Sequence, residues 1–473
     1  MNKSLKLVIA AGIPILILLL PTSIFGMEGL TLVEHRVIAI FFFAALFWIL
    51  EPIPVYATSL LIIFLELVMI SSKGLNILIH GSSPESIGTL LDYREIIGTF
   101  ASPIIILFLG GFFLAMAATK YRLDQNLAKV LLKPFGSNPK MVILGIMIIT
   151  AIFSMFMSNT ATTAMMLSIL TPVLAVFLPG DSGKVGFTLA IPIAANIGGI
   201  GTPIGTPPNA VALKYLTGSN AVSFGEWMMF AIPFVIVLLL IAWVLLIMLY
   251  PVKTEKIQLD IKGTWLKNSK AYIVYFTFGL TIILWLTDFL HGMNSYVVAM
   301  LPVAVFSGLG IITKNDLKNI SWDVLWLVSG GIALGIALDS SGLAQRLISA
   351  IPFDTLSPML IVVLVTVVAT LMANFMSHTA SANLLLPLVA VLSVSLVGME
   401  AFGGSQMIII AVTISCSMGM ALPISTPPNA LAFATGTIKT SQMAKPGTII
   451  AIIGLSLTYL LMYVMNLLGF FNV

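Results

Sequence analysis

The chain has 473 residues, 59% hydrophobic and 8% charged, with mean hydropathy +1.11 and a formal net charge of +4. That balance excludes a soluble globular domain, because long apolar runs recur near the ~20 residues needed to cross a ~30 Å hydrocarbon core. The single cysteine, Cys416, lies in an apolar run and excludes disulfide scaffolds and cysteine metal sites, and the small positive charge gives no reason to expect a nucleic-acid partner.

In chain order, membrane spans are predicted over residues 5–24, 35–51, 54–71, 97–118, 184–198, 226–250, 270–288, 295–312, 321–339, 405–419 and 447–470. The first follows Lys3 and Lys6 as a signal peptide would, but no small-x-small cleavage site follows it and more spans come at once. A retained helix is expected. Between the spans lie two apolar pairs, 140–178 and 356–397, each broken in its middle by a Ser-x-Thr motif. If each pair enters and leaves on one side, eleven spans remain and the termini lie on opposite faces. With the N-terminus inside, 17 of the 22 Lys and Arg fall on the cytoplasmic side, against Arg36, Lys73, Arg94, Lys214 and Arg346 outside. The positive-inside rule then predicts a multi-pass cell-membrane protein with a cytoplasmic N-terminus and an outside C-terminus.

The chain repeats itself. Ser158-Asn159-Thr160-Ala161 returns as Ser377-His378-Thr379-Ala380, and Thr206-Pro207-Pro208-Asn209-Ala210 returns unchanged as Thr426-Pro427-Pro428-Asn429-Ala430. Gly110-Gly111 matches Gly330-Gly331, Leu123 matches Leu343, and Trp48-Ile49-Leu50-Glu51 resembles Trp285-Leu286-Thr287-Asp288 at a larger offset. An insertion in the polar loop 72–96 accounts for that difference. The predicted organisation is an N-terminal helix (1–34), a first repeat (35–251, hairpin 140–178, broken helix 184–217), a linker (252–269), and a second repeat (270–473, hairpin 356–397, broken helix 405–438). Five spans and one re-entrant pair per copy make the second copy enter the membrane inverted. Inverted repeats with interrupted apolar segments point to a secondary transporter with a midplane site.

The breaks carry the chemistry. Backbone in hydrocarbon must satisfy its own hydrogen bonds, so non-helical stretches persist only where they line a cavity or a ligand. At Ser158-Asn159-Thr160 an incoming helix ends, presenting carbonyls to cations, and an outgoing helix begins, presenting N–H groups and its positive dipole end to anions. One such motif alone reads as a polar kink; two at repeat-equivalent places read as a site. The second breaks run over 198–209 and 419–429, where glycines and prolines unwind the helix, and the carbonyls near Gly199, Gly201 and Ala421 are expected cation ligands. Asn209 and Asn429 fall in the first turn of a new helix half. No Lys or Arg lies near the tips, so a dianion there would be held by hydroxyls, amides, helix N-termini and cations.

Taken together, 158–166, 205–209 and 422–429 resemble the divalent anion/sodium symporter family, in its dicarboxylate branch, from about residue 35 to the C-terminus. The resemblance implies an all-α polytopic fold and a homodimer, each protomer having a scaffold and a mobile transport domain that moves as an elevator. It implies a substrate held by Ser158, Asn159, Thr160, Ser377 and Thr379, with Pro423 close by. It implies Na⁺ at Ser158, Asn159 and the carbonyls near Gly201, and again at Ser377, position 378 and the carbonyls near Ala421. No cofactor is implied beyond Na⁺ as a coupling ion, and the chain reads as a transporter, not an enzyme.

His378 departs from the family's Asn. A neutral imidazole there would hydrogen-bond a carboxylate, an imidazolium would replace the second Na⁺ and favour obligatory exchange, and a packing role is the third reading. His35, His80 and His291 are expected to be solvated near span ends or in loops, and Glu66 to be interfacial, with a partner at a domain or dimer contact as its alternative. The expected cargo is a C4 dicarboxylate (succinate, malate, fumarate), with citrate, 2-oxoglutarate and sulfate as alternatives. A channel is disfavoured because polar residues cluster at the breaks, and a Ser/His hydrolase because adjacent Ser377 and His378 diverge.

Overall fold

The computed structural model describes residues 2–471 apart from 28, 80–83, 175–176, 179, 258–263, 350–356 and 396–402. Among the described residues the chain is helical, with one isolated bridge between Ser71 and Leu91. Helices of seven residues or more are α1 (Lys3–Leu19), α2 (Leu32–Leu50), α3 (Val55–Met69), α4 (Pro103–Lys120), α5 (Leu123–Leu132), α6 (Pro139–Phe156) and α7 (Asn159–Leu174). Next come α8 (Gly183–Gly199), α9 (Pro207–Leu213), α10 (Phe224–Leu249), α11 (Ser269–Leu286), α12 (Ser295–Gly308), α13 (Trp322–Ser340) and α14 (Leu343–Ser349). Then follow α15 (Pro358–Phe375), α16 (His378–Ser395), α17 (Gly404–Cys416), α18 (Pro427–Ala434) and α19 (Thr440–Leu467).

Local sequence places the boundaries. Asn138-Pro139 and Ser357-Pro358 start the first arm of each hairpin: the polar side chain accepts from Lys140 N or Leu360 N, and the proline occupies the first turn, where an N–H has no partner anyway. Both arms end on an extended residue, Met157 and Met376, directly before the Ser-x-Thr motif. After α4 and α13 the chain turns sharply through Arg122 (φ 58°) and Gly342 (φ 82°), equivalent positions of the two copies, into α5 and α14. Those short helices were not foreseen in the sequence.

The two copies interlock. α4 of the first crosses α12 of the second where a Cβ on Gly110 would strike Ala299, and α13 of the second crosses α3 of the first where a Cβ on Gly330 would strike Ser59. Hairpin arm α7 packs on broken-helix half α18, and its counterpart α16 packs on α9. Each broken helix also crosses its own hairpin at a glycine, Gly198 against the backbone of Ala151 and Gly419 against that of Ala373. Side-chain-free crossings let backbones approach closely, the means by which helices pack where lipid offers no hydrophobic drive.

The span list needs adjustment. Among the described residues, eight helices are long and apolar enough to cross a membrane, including α6 and α15, the first arms of the two hairpins, at 18 residues each. The predicted spans at α3, α12 and α17 are shorter, at 15, 14 and 13 residues. Loop 72–96 holds short helices, Asn76–Ile79, Pro84–Ile87 and the start of Tyr93–Gly98. The linker is pinned rather than wholly solvated: Ile257 is buried and its N–H donates to Ser137 O (2.9 Å), while Asp181 accepts from Lys253 N, Thr254 N and Thr254 Oγ1. His35 is buried, donating from Nε2 to Ile17 O at 2.8 Å, because α1 packs over the span end that was expected to face water. His291 is half-buried and donates to Leu284 O (2.8 Å), and His80 lies outside the described residues.

Candidate functional site

At the first tip Ser158 caps α7, its Oγ accepting from Ala161 N at 3.2 Å and its hydroxyl hydrogen left to donate. The first-turn N–H groups of α7 have no intrahelical acceptor. Asn159 folds back instead of projecting outward. Ser154 Oγ lies 2.5 Å from its Oδ1 and 2.8 Å from Ala195 O, its single hydrogen serving one of them at a time. A Cβ on Gly199 would sit 2.7 Å from Asn159 Oδ1 and 3.0 Å from Gly205 O, so tip and break touch only because residue 199 has no side chain.

The second tip repeats this with different chemistry. Ser377 Oγ accepts from Ala380 N at 3.2 Å, capping α16. His378 stands where Asn159 stands in the first copy, and its Nε2–H donates to Gly419 O at 2.6 Å. That bond fixes the proton on Nε2, since a carbonyl only accepts. Gly419 is the counterpart of Gly199, so the imidazole takes up a carbonyl of the break. Asn374 ties the same loop from behind, accepting from Ala421 N (3.0 Å) through Oδ1 and from Ser425 Oγ (2.8 Å) through its carbonyl. In the first copy Thr202 Oγ1 donates to Met155 O at the corresponding place.

Each break is stapled by its asparagine. Asn209 Nδ2 faces the carbonyls of Gly199 (3.1 Å), Ile200 (3.2 Å) and Thr202 (2.8 Å), and Asn429 Nδ2 faces those of Met420 (2.9 Å) and Leu422 (3.0 Å). Carbonyls converging on one donor group also satisfy a cation, and each retains a second lone pair. Asn196, on α8, donates to Thr426 Oγ1 and Asn429 Oδ1, both at 3.2 Å, joining the two copies directly. The carbonyl oxygens of the Asn196 and Asn209 side chains are buried without a hydrogen-bond partner.

The predicted residues therefore sort by position. Ser158 and Asn159 are half-buried, Thr160 is exposed, Ser377 and Pro423 are half-buried, and His378, Thr379, Gly199, Gly201 and Ala421 are buried. The structure brings Asn159 against Gly199, and His378 against Gly419. Sequence reasoning missed Ser154, Asn374 and Asn196; of these only Asn196, a lone amide within Ile191–Gly198, carried a visible signal. Glu66 needs correcting: it is fully buried, both carboxylate oxygens lack a hydrogen-bond partner, and the charge acting on it is Lys214. It is buried inside the bundle rather than at the membrane interface, on α3, which packs on both α2 and α13.

A polytopic helical chain with duplicated breaks, each bearing a capped polar tip, is a multi-pass membrane transporter, not an enzyme. The chain belongs to the family described as the sodium:sulfate symporter transmembrane region, whose model matches residues 1–470. It is 30% identical over 468 residues to the sodium-dependent dicarboxylate transporter SdcS of Staphylococcus saprophyticus, covering 90% of this chain and 85% of that protein. It is 29% identical over 428 residues to the inorganic phosphate transporter PHO87 of Saccharomyces cerevisiae, covering 89% of this chain and 45% of that protein. Among solved structures, the YdaH transporter of Alcanivorax borkumensis matches with a TM-score of 0.48 and 15% identity, over 79% of this chain and 87% of that one.

Proposed function

We propose that the protein is a secondary carrier of C4 dicarboxylates such as succinate, malate and fumarate. One carboxylate is held at each Ser-x-Thr tip, by Ser158, Asn159 and Thr160 at one end and by Ser377, His378 and Thr379 at the other, with Pro423 beside them. The observation that supports this most is the duplicated cap: both serines use a lone pair on their own helix and keep a hydrogen for a substrate oxygen. The kinship to SdcS, a sodium-dependent dicarboxylate transporter by name, favours this cargo over citrate, 2-oxoglutarate or sulfate. Eleven spans with two re-entrant hairpins, inverted repeats, a cytoplasmic N-terminus and a homodimer complete the reading. In it the hairpins and broken helices move as an elevator against the remaining helices.

Sodium is the coupling ion of the first half, with Ser158, Asn159 and the carbonyls of Gly199 and Gly201 as its oxygen ligands. At the second half, where Ser377 and the Ala421 carbonyl would be the counterparts, His378 already donates to Gly419 O. Nε2 already carries its proton, and a second proton taken up at Nδ1 when a dianion arrives would supply there the positive charge that Na⁺ would bring. A buried charge of this kind is costly without an anion beside it. The empty carrier therefore returns poorly, and dicarboxylate exchange is the favoured mode. In proteoliposomes, uptake of labelled succinate should be blocked by unlabelled malate and fumarate. Stronger block by sulfate or citrate than by either would overturn the C4 assignment.

A further inference from the structure

Beyond the tips, α13, α16 and the segment just past α9 border a cavity of about 830 Å³ that none of the tip residues lines. Lys214, the residue capping the C-terminus of α9, lies on its wall with Tyr215 and Asp339. Lys214 Nζ donates to Ile332 O of α13 at 2.6 Å. Glu66 of α3 and Asp339 of α13 are the two carboxylates whose charges act on it. The arrangement depends on Gly335, where a Cβ would come 2.7 Å from Lys214 Nζ and would strike the Tyr215 hydroxyl.

Lys214 continues directly from the break that carries Gly199 and Asn209. Its partners belong to α3 and α13, which are locked together where Gly330 meets Ser59 and which carry no tip residue. Glu66 is buried on α3 with no hydrogen-bond partner on either oxygen, so it makes no direct bond to Lys214, and the geometric tie between the two units is the Lys214 bond to Ile332 O. If α9 slides along α13, the bond to Ile332 breaks.

We propose that Lys214 is a latch that holds the tip-bearing unit against α3 and α13 in this conformation and must release before that unit moves. The proposal rests on the elevator reading. Its test is a distance measurement between spin labels on the full-length protein in lipid. Leu371→Cys on α15 and Phe276→Cys on α11, both exposed, carry the labels, with the buried Cys416 replaced by Ser. The unsubstituted latch should show two distances, one of them that of this structure. Lys214→Met should shift their ratio away from this conformation by about tenfold or more, the factor set by one charge-assisted hydrogen bond. Lys214→Arg should restore the ratio, and Gly335→Ala should reproduce part of the shift with the charges intact. Should Lys214→Met fail to fold, the double variant Lys214→Met/Glu66→Gln removes the ammonium and leaves no ionisable carboxyl at position 66, and is read the same way. A single distance with and without succinate and Na⁺ overturns the elevator reading and the latch with it. Two distances whose ratio ignores Lys214→Met, or the double variant in its place, overturn the latch alone.

Discussion

At the scale of single residues, the two copies differ at the place where their sequences part, Asn159 against His378. Asn159 and His378 occupy equivalent places, yet one meets a serine hydroxyl and the other a backbone carbonyl. An amide offers an oxygen to a cation, whereas an imidazole donating through Nε2 competes with one. His378→Asn should therefore raise the Na⁺ dependence of succinate uptake and flatten its pH dependence; unchanged profiles for both would remove the charge-replacement account. The stapling amides make a different prediction. Asn209→Ala removes the donor facing three carbonyls and leaves them buried, which should cost about 2–3 kcal/mol of stability. Thermal unfolding in detergent checks this, and a loss below about 0.5 kcal/mol would show that water or backbone repacking serves the carbonyls equally well.

At the scale of elements, the turns and ties between helices are where sequence reading was weakest. Arg122 and Gly342 make the same left-handed turn, but an arginine before a helix gives no sign of it, so α5 and α14 went unseen. Gly342 has open space around it, the nearest atom to an added Cβ being Glu34 Oε1 at 3.9 Å, so its substitution tests backbone strain alone. Gly342→Ala should destabilise by about 1 kcal/mol and Arg122→Gly should not, as their unfolding midpoints would show. Asp181 is a second tie that local sequence does not reveal, because its donors on Lys253 and Thr254 lie some seventy residues away. Burial alone would push its carboxyl up, but hydrogen bonds from Thr254, Gly183 and Lys253 outweigh that and hold it below the ordinary carboxylate range. Its contribution is therefore complete above the ordinary carboxylate pKa and is lost as pH falls through the lowered value. Asp181→Ala should lower stability by about 2 kcal/mol near neutral pH, with the gap to wild type closing in acid.

At the scale of the whole molecule, duplication was legible because breaks inside apolar helices are few and their residue types specific. Ser-x-Thr and Thr-Pro-Pro-Asn fall where helices end and restart in both copies, while Gly110 and Gly330, legible only as matching positions, sit at the crossings that interlock the copies. What was not legible followed from packing between distant segments. Glu66 looked interfacial because its sequence neighbours are those of a span end, whereas it is buried on α3, which packs on both α2 and α13. Asn374 and Ser154 act on loops far along the chain, and nothing in their own windows distinguishes them from ordinary polar residues in apolar helices. The hairpin arms α6 and α15 are as long as spans, so length alone does not separate a re-entrant pair from two crossings.

The proposal that each tip holds one carboxylate, one served by Na⁺ and the other by His378, predicts that the loaded carrier crosses the membrane far faster than the empty one. Uptake of labelled succinate into proteoliposomes preloaded with succinate, set against uptake into empty vesicles under an inward Na⁺ gradient, tests this most directly. Rapid uptake into the loaded vesicles, with little into the empty ones, is the predicted result. Equal or faster Na⁺-driven accumulation in empty vesicles would contradict it.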